Sequence, residues 1–200
     1  RKRTKMVRSK WKTKLNRPLS YLKFWWYSKN EHGVHSPFVF DLITKCFYNS
    51  NTHSNYPLFQ KDDAKIQFLV RLGLYFGYKN SYLDASIKTN FEHALNMHSV
   101  VEKFNTTEEL INLSKLTLQL PSLICINIKT INIPVLLNFF KECHRDSIVL
   151  IPFLRKSKIN YKSWNQLKSS TEVSVSIDTY NWGLLFFRTE QLKEHFTIRL

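Results

Sequence analysis

The chain has 200 residues, 43% hydrophobic and 14% aromatic, with 30 Lys and Arg against 15 Asp and Glu. That apolar content excludes a wholly disordered chain and suits one domain with a sizeable core, while a net charge of +15 directs attention to RNA, DNA or an anionic membrane surface. Three cysteines, Cys46, Cys125 and Cys143, are odd in number and sit in apolar runs, so they read as buried thiols in a reducing, cytoplasmic setting rather than as a disulfide framework.

The charge is concentrated at the start. Eleven Lys or Arg and no acid fall in the first thirty residues; the first acid is Glu31, and the other nineteen bases face all fifteen acids. Residues 1–17, RKRTKMVRSKWKTKLNR, therefore form a basic arm that cannot bury apolar surface and that repels itself into an extended form until it meets a polyanion. Its candidate RNA contacts are Arg1, Lys2, Arg3, Lys5, Arg8, Lys10, Lys12, Lys14 and Arg17, with Lys23 just beyond. Arg forks onto phosphates or stacks on bases, and Lys supplies point charges. Trp11 either stacks on a base or anchors the arm to apolar protein surface. The alternative is a solvated tail. No apolar h-region follows the basic start, so no signal peptide is expected, and Tyr21–Tyr27 is too short to span a bilayer. A basic amphipathic start lying on an anionic membrane is the lesser reading.

Residues 18–200 form the expected domain, helical over 18–78 and α/β over 79–200. Pro18 suits the first turn of a helix to Tyr27, in which the Trp25–Trp26 pair is expected to pack inward. NEHGVH is a turn; Ser36–Pro37 then reads as N-cap and first position of a helix to about Tyr48, with Phe38, Leu42, Ile43 and Phe47 on one face. A polar loop, NSNTHSNYP, precedes a helix from about Lys61 to Phe76 with Ile66, Leu69, Val70 and Leu74 inward. Strands are expected at Ser81–Ala85 and His98–Glu102, and Thr106-Thr107-Glu108-Glu109 reads as a capping box opening a helix toward Leu118. LICINI at Leu123–Ile128 and SIVLI at Ser147–Ile151 read as strands buried on both faces, separated by a helix over Pro134–Cys143. A short basic helix at Tyr161–Ser169 follows. Glu172–Asp178 and Trp182–Arg188 then form a hairpin, with a last strand at Phe196–Leu200. Alternating units closed by an antiparallel pair describe an open α/β sheet with a reversed edge.

This order resembles that of the class I S-adenosylmethionine-dependent methyltransferases, whose seven-stranded sheet ends in a reversed hairpin. The segments YLKFWWYSKNEHGVHSPFVFDLITKCFY and VSIDTYNWGLLFFRTEQLKEHFTIRL resemble a Bacteroidota group of O-methyltransferase-like proteins; the middle aligns only by pattern. The resemblance implies a mostly parallel, methyltransferase-like (Rossmann-type) sheet, and also a cofactor site that this chain lacks. The loop after the first strand should be Gly-rich, because only glycine lets backbone approach the cofactor closely. Here it reads YLDASIKTN, with Ser86 and Asn90 where glycines would fall. Asp84 and Glu102 match the two cofactor-binding acids as vestiges. Asn127-Ile128 replaces an Asp-Gly, and Pro152-Phe153 replaces an acidic pair, so no general base or metal ligand remains there. The interval from Glu102 to Leu123 is too short for helix, strand and helix, so the sheet is expected to be shortened by one strand.

The expectation is thus a non-catalytic protein without cofactor, metal or small-molecule substrate. The resemblance extends to methyltransferase-derived proteins of the Bacteroidota large ribosomal subunit, which implies ribosomal RNA and neighbouring ribosomal proteins as partners and no membrane. A second basic run, Arg155, Lys156, Lys158, Lys162 and Lys168, has no acid between Ser147 and Thr171; it is either a further RNA contact or an exposed helix face. His32 and His35 have chelating spacing but lack companion ligands, so a structural or capping role is expected. Cys143–His144 are adjacent and point apart on a helix, so they do not form a nucleophile and base. The rival readings are a divergent methyltransferase acting on RNA and a pseudoenzyme subunit of a protein complex.

Overall fold

In the computed structural model the described residues are 18–49, 64–114 and 120–200; the arm 1–17, most of the polar loop after Asn49, and the stretch before Leu120 lie outside them. Seven strands form one sheet: β1 (Asn80–Asp84), β2 (Val100–Phe104), β3 (Ser122–Cys125), β4 (Ile148–Pro152), β5 (Val175–Asp178), β6 (Trp182–Phe186) and β7 (Glu194–Thr197), in the order β2-β1-β3-β4-β6-β5-β7. Only β6 runs against its neighbours. The result is an open, mostly parallel α/β sheet of Rossmann type, with β5 and β6 paired antiparallel across the turn at residues 179–181.

Burial on both faces explains why the central strands are almost wholly apolar. In β4, Ile148 and Leu150 enter one core, while Val149 and Ile151 enter the other, as the two-residue repeat of a strand requires. The first core is roofed by α2 (Pro37–Asp41) with its π-helical continuation Leu42–Phe47, by α3 (Ala64–Phe76) and by α4 (Thr89–Asn96). The second is roofed by α5 (Thr107–Ser114), α6 (Ile133–Phe139) and α7 (Lys158–Lys168). A further helix, α1, occupies residues 18–27.

Caps start the helices where side-chain oxygens can accept a free backbone N–H. Ser36 Oγ accepts from Val39 N at 3.4 Å. At α5, Thr106 Oγ1 accepts from Glu109 N at 3.1 Å and the Glu109 carboxylate accepts from Asn105 N at 2.7 Å, a capping box reaching one residue further back than the usual form. Ser157 Oγ accepts from Asn160 N at 3.1 Å, which starts α7 three residues before the expected Tyr161.

Three expectations need correction. Leu74 is 39% exposed, because the inward stripe of α3 runs through Ile66, Leu69, Val70 and Gly73 and leaves Leu74 on its flank. The second strand begins at Val100 rather than His98, since the amides of His98 and Ser99 both donate to Leu95 O and prolong the turn after α4. The sheet ends at β2, with one helix and no strand among the described residues before β3, yet seven strands remain because β7 adds alongside β5 on the other edge.

Glycine is required where backbone and rings meet. A Cβ on Gly183 in β6 would stand 2.7 Å from the ring of Trp164, a fully buried residue of α7. Gly183→Ala is expected to destabilise the domain by about 1–3 kcal/mol, from displacement of the indole. Urea unfolding checks this, with a lower midpoint at an unchanged slope as the expected result.

Candidate nucleic-acid interface

The chain leaves β1 through α4 on one face of the sheet, and leaves β2 through α5 on the other face to reach β3 on the far side of β1. The crevice between the carboxyl ends of β1 and β3 is therefore the topological switch point, where open α/β sheets take up ligands. Here it is laced shut. Asp84, last in β1 and 2% exposed, accepts at Oδ1 from Ser86 N (2.9 Å) and Ser86 Oγ (2.5 Å). Its Oδ2 accepts across the crevice from Asn127 N (3.2 Å) and Thr130 Oγ1 (2.8 Å), both in the loop after β3. Asn127 Nδ2 donates back to Ser86 Oγ at 2.8 Å. Ser86 and Asn127, which stand where the resembled family has a glycine loop and an Asp-Gly, thus bind each other.

Glu102 does not join this cluster. With β2 beginning at Val100, Glu102 lies mid-strand opposite Tyr82, and Phe104 occupies the carboxyl end opposite Asp84. Asp84 and Glu102, expected as a cofactor-binding pair of acids, are therefore not brought together at the strand ends. The thiols offer no nucleophile: Cys46 and Cys125 are buried and Cys143 half-buried. Burial pushes all three up, Cys46 to about 12, so they stay protonated at neutral pH. His32 and His35 are exposed, His32 lying 3.4 Å from Glu31.

The carboxyl end of β5 is closed by a second cluster. Arg155 and Asp178 form an ion pair with side chains only 14% and 6% exposed. Asp178 Oδ1 also accepts from Tyr180 N at 2.8 Å. The Arg155 guanidinium lies 4.6 Å from the ring centre of Tyr161, 5.0 Å from Phe24 and 5.2 Å from Tyr180. Tyr180 holds φ +72 in the β5–β6 turn, a conformation that only a well-packed side chain sustains, and its hydroxyl hydrogen-bonds Ser20 at 3.0 Å. Phe24 and Ser20 are the inward side of α1, so this cage mounts α1 on the strand-end edge. Arg155 is consumed internally and cannot face a partner in this arrangement.

The remaining bases of that run do face solvent: Lys156, Lys158 and Lys162 are exposed, and Lys168 is half-buried. Sequence reading missed Lys88 and Lys129, exposed in the loops after β1 and β3. The available signal was their place just beyond two parallel strands, which puts them at the same edge as Lys156 and Lys158. None of these five exposed lysines forms an ion pair among the described residues. Lys23 is exposed on α1, and Arg1, Lys2, Arg3, Lys5, Arg8, Lys10, Trp11, Lys12, Lys14 and Arg17 lie outside the described residues. The expected inward packing of the tryptophan pair is overturned. Trp25 is 47% and Trp26 75% exposed, because Phe24 alone supplies the fully buried ring of α1.

The strand-end acids are expected to act as structural residues. Asp178→Ala should cost about 3–5 kcal/mol by leaving Arg155 buried and uncompensated. Asp84→Ala should cost at least ~1–3 kcal/mol, from buried donors left unpaired. Lys129→Ala and Lys156→Ala should stay within about 0.5 kcal/mol of the parent. Urea unfolding distinguishes the two groups.

No protein-family model, curated protein or solved structure matches this chain.

Proposed function

We propose that this protein is a non-catalytic RNA-binding protein of the large ribosomal subunit, derived from a class I methyltransferase fold. The observation that carries this reading is the state of the switch point. Asp84, Ser86, Asn127 and Thr130 spend their hydrogen bonds on one another across the crevice. Around them stand exposed lysines, Lys88, Lys129, Lys156 and Lys158, none in an ion pair among the described residues. An edge that serves a small ligand in open α/β folds here offers cationic charge beside a crevice bridged by the protein's own hydrogen bonds.

The mechanism follows from electrostatics. The arm's bases neutralise phosphates and release counterions, and the lysine row offers a second line of phosphate contact at the edge where α1 begins. The body then acts as a docking block against ribosomal RNA and neighbouring ribosomal proteins. The reversed strand β6 between β4 and β5, with the retained terminal segments, supports the methyltransferase ancestry.

Two measurements test this. Neutralisation of about six to ten phosphates predicts that RNA affinity falls about 10³–10⁵-fold between 50 and 200 mM salt, and removal of residues 1–17 should flatten that dependence. An unchanged salt slope without the arm would remove it from the mechanism. Calorimetric titration with S-adenosylmethionine is expected to give no binding heat; saturable micromolar binding would favour a divergent methyltransferase instead.

A further inference from the structure

Resting on the RNA-binding reading, we infer that the outward face of α1 is a stacking platform for unpaired bases, so that the preferred RNA is a single-stranded or looped segment beside the duplex that the arm neutralises. Phe24 and Ser20 tie one side of α1 to the Arg155–Tyr180 cage. The opposite side carries Leu19, Leu22 and Trp26, flanked by Trp25 and Tyr27, and all five are exposed. A ten-residue helix that buries one ring fully and leaves its four others exposed, Tyr21 against the cage and Trp25, Trp26 and Tyr27 away from it, is not explained by packing within the described residues.

The chemistry of the face selects its occupant. Trp26 and Tyr27 are 75% and 68% exposed, and each presents a π-surface that any base can cover. Trp25 lies under the Arg199 guanidinium, 5.2 Å from its ring centre, which makes a flat cationic stack beside them. Lys23 and Lys29 are exposed on the same segment, and no acid precedes Glu31 in the chain. A second copy of this chain is disfavoured, because docking α1 on α1 would bring together two segments of eleven bases each. A ligand carrying both planar rings and negative charge satisfies the whole surface, and single-stranded RNA carries both in every nucleotide. Leu19 and Leu22 extend the platform as apolar surface for sugar and base edges.

The experiment uses the full chain and two fluorescent probes of equal length, an unstructured RNA strand and the corresponding perfect duplex, at fixed moderate salt. Each lost ring should weaken single-strand binding roughly 5- to 150-fold in Trp26→Ala and Tyr27→Ala, with duplex affinity and salt slope unchanged, because no charge is removed. Trp26→Phe should restore most of the single-strand affinity, and Trp26→Leu should not. Thermal melts of all four variants should match the parent, since these side chains project outward. Equal rescue by Trp26→Leu would overturn the inference in favour of a general apolar docking surface. So would loss of binding confined to phosphatidylserine vesicles, or a parent dimer that dissociates in Trp26→Ala. Unchanged single-strand binding in all variants would reject the platform while leaving the arm's role intact. Failure of the parent chain to bind either RNA at low salt would reject the RNA-binding reading itself.

Discussion

A carboxylate withdrawn from water needs donors for its lone pairs, and the closure of the crevice between β1 and β3 depends on where Asp84 finds them. Two come from its own turn, through Ser86, and two from the opposite lip of the crevice, through Asn127 and Thr130. The group at the end of β1 therefore works as a clamp between β1 and the loop after β3. Hydrogen bonds to a charged acceptor are worth more than neutral ones, and their geometry leaves Asp84 no outward-facing oxygen. A glycine at position 86 or 127 would remove side chains from this clamp and open the crevice. Ser86, one of the two residues that stand where the resembled family has loop glycines, is itself a member of the clamp.

A second clamp has the same logic and a different consequence. The Arg155–Asp178 pair sits where the fold's ligand edge meets the reversed strand, and a buried ion pair is tolerable only when its remaining polar capacity and its faces are filled. Tyr180 N fills part of the carboxylate, and the rings of Phe24, Tyr161 and Tyr180 cover the guanidinium. Because Phe24 and Ser20 belong to α1, closing this site also fixes the helix that leads back to the basic arm. Edge closure and the seating of α1 are thus one structural event.

With the crevice between β1 and β3 and the carboxyl end of β5 both occupied by the protein's own side chains, charge decides what the edge meets. The acids there, Asp84 and Asp178, are buried and paired, while the lysines of the adjoining loops extend into water. The pattern separates a consumed negative interior from an unconsumed positive rim. Such a rim favours a polyanion over any neutral or cationic partner, and the arm adds to the same field.

Much of this was legible in residue order. Period-two and period-3.6 apolar spacing, the Ser36 and Thr106 caps, and the both-faces-apolar runs of β3 and β4 are local signals, and they place most of the elements, whereas the Ser157 cap, which starts α7 three residues early, went unread. The absent glycines were legible for the same reason, since backbone approach depends on the identity of one residue. Boundaries failed where a turn competed with a strand, as at His98 and Ser99, and that two-residue slip moved Glu102 from strand end to mid-strand. Arg155 and the tryptophan pair failed differently. In sequence, Arg155 is one of five bases in a run, and Trp25–Trp26 is an apolar doublet. Only the chain's return at Asp178 and Tyr180, more than twenty residues after Arg155, draws the arginine inward, and only the docking of Phe24 turns the tryptophans out. The sequence by itself determined the α/β order, the charged arm and the absence of glycine from the loop after β1, because each depends on neighbours along the chain. The tertiary structure alone decided which bases and rings face a partner, because burial is set by residues that meet only when distant segments pack.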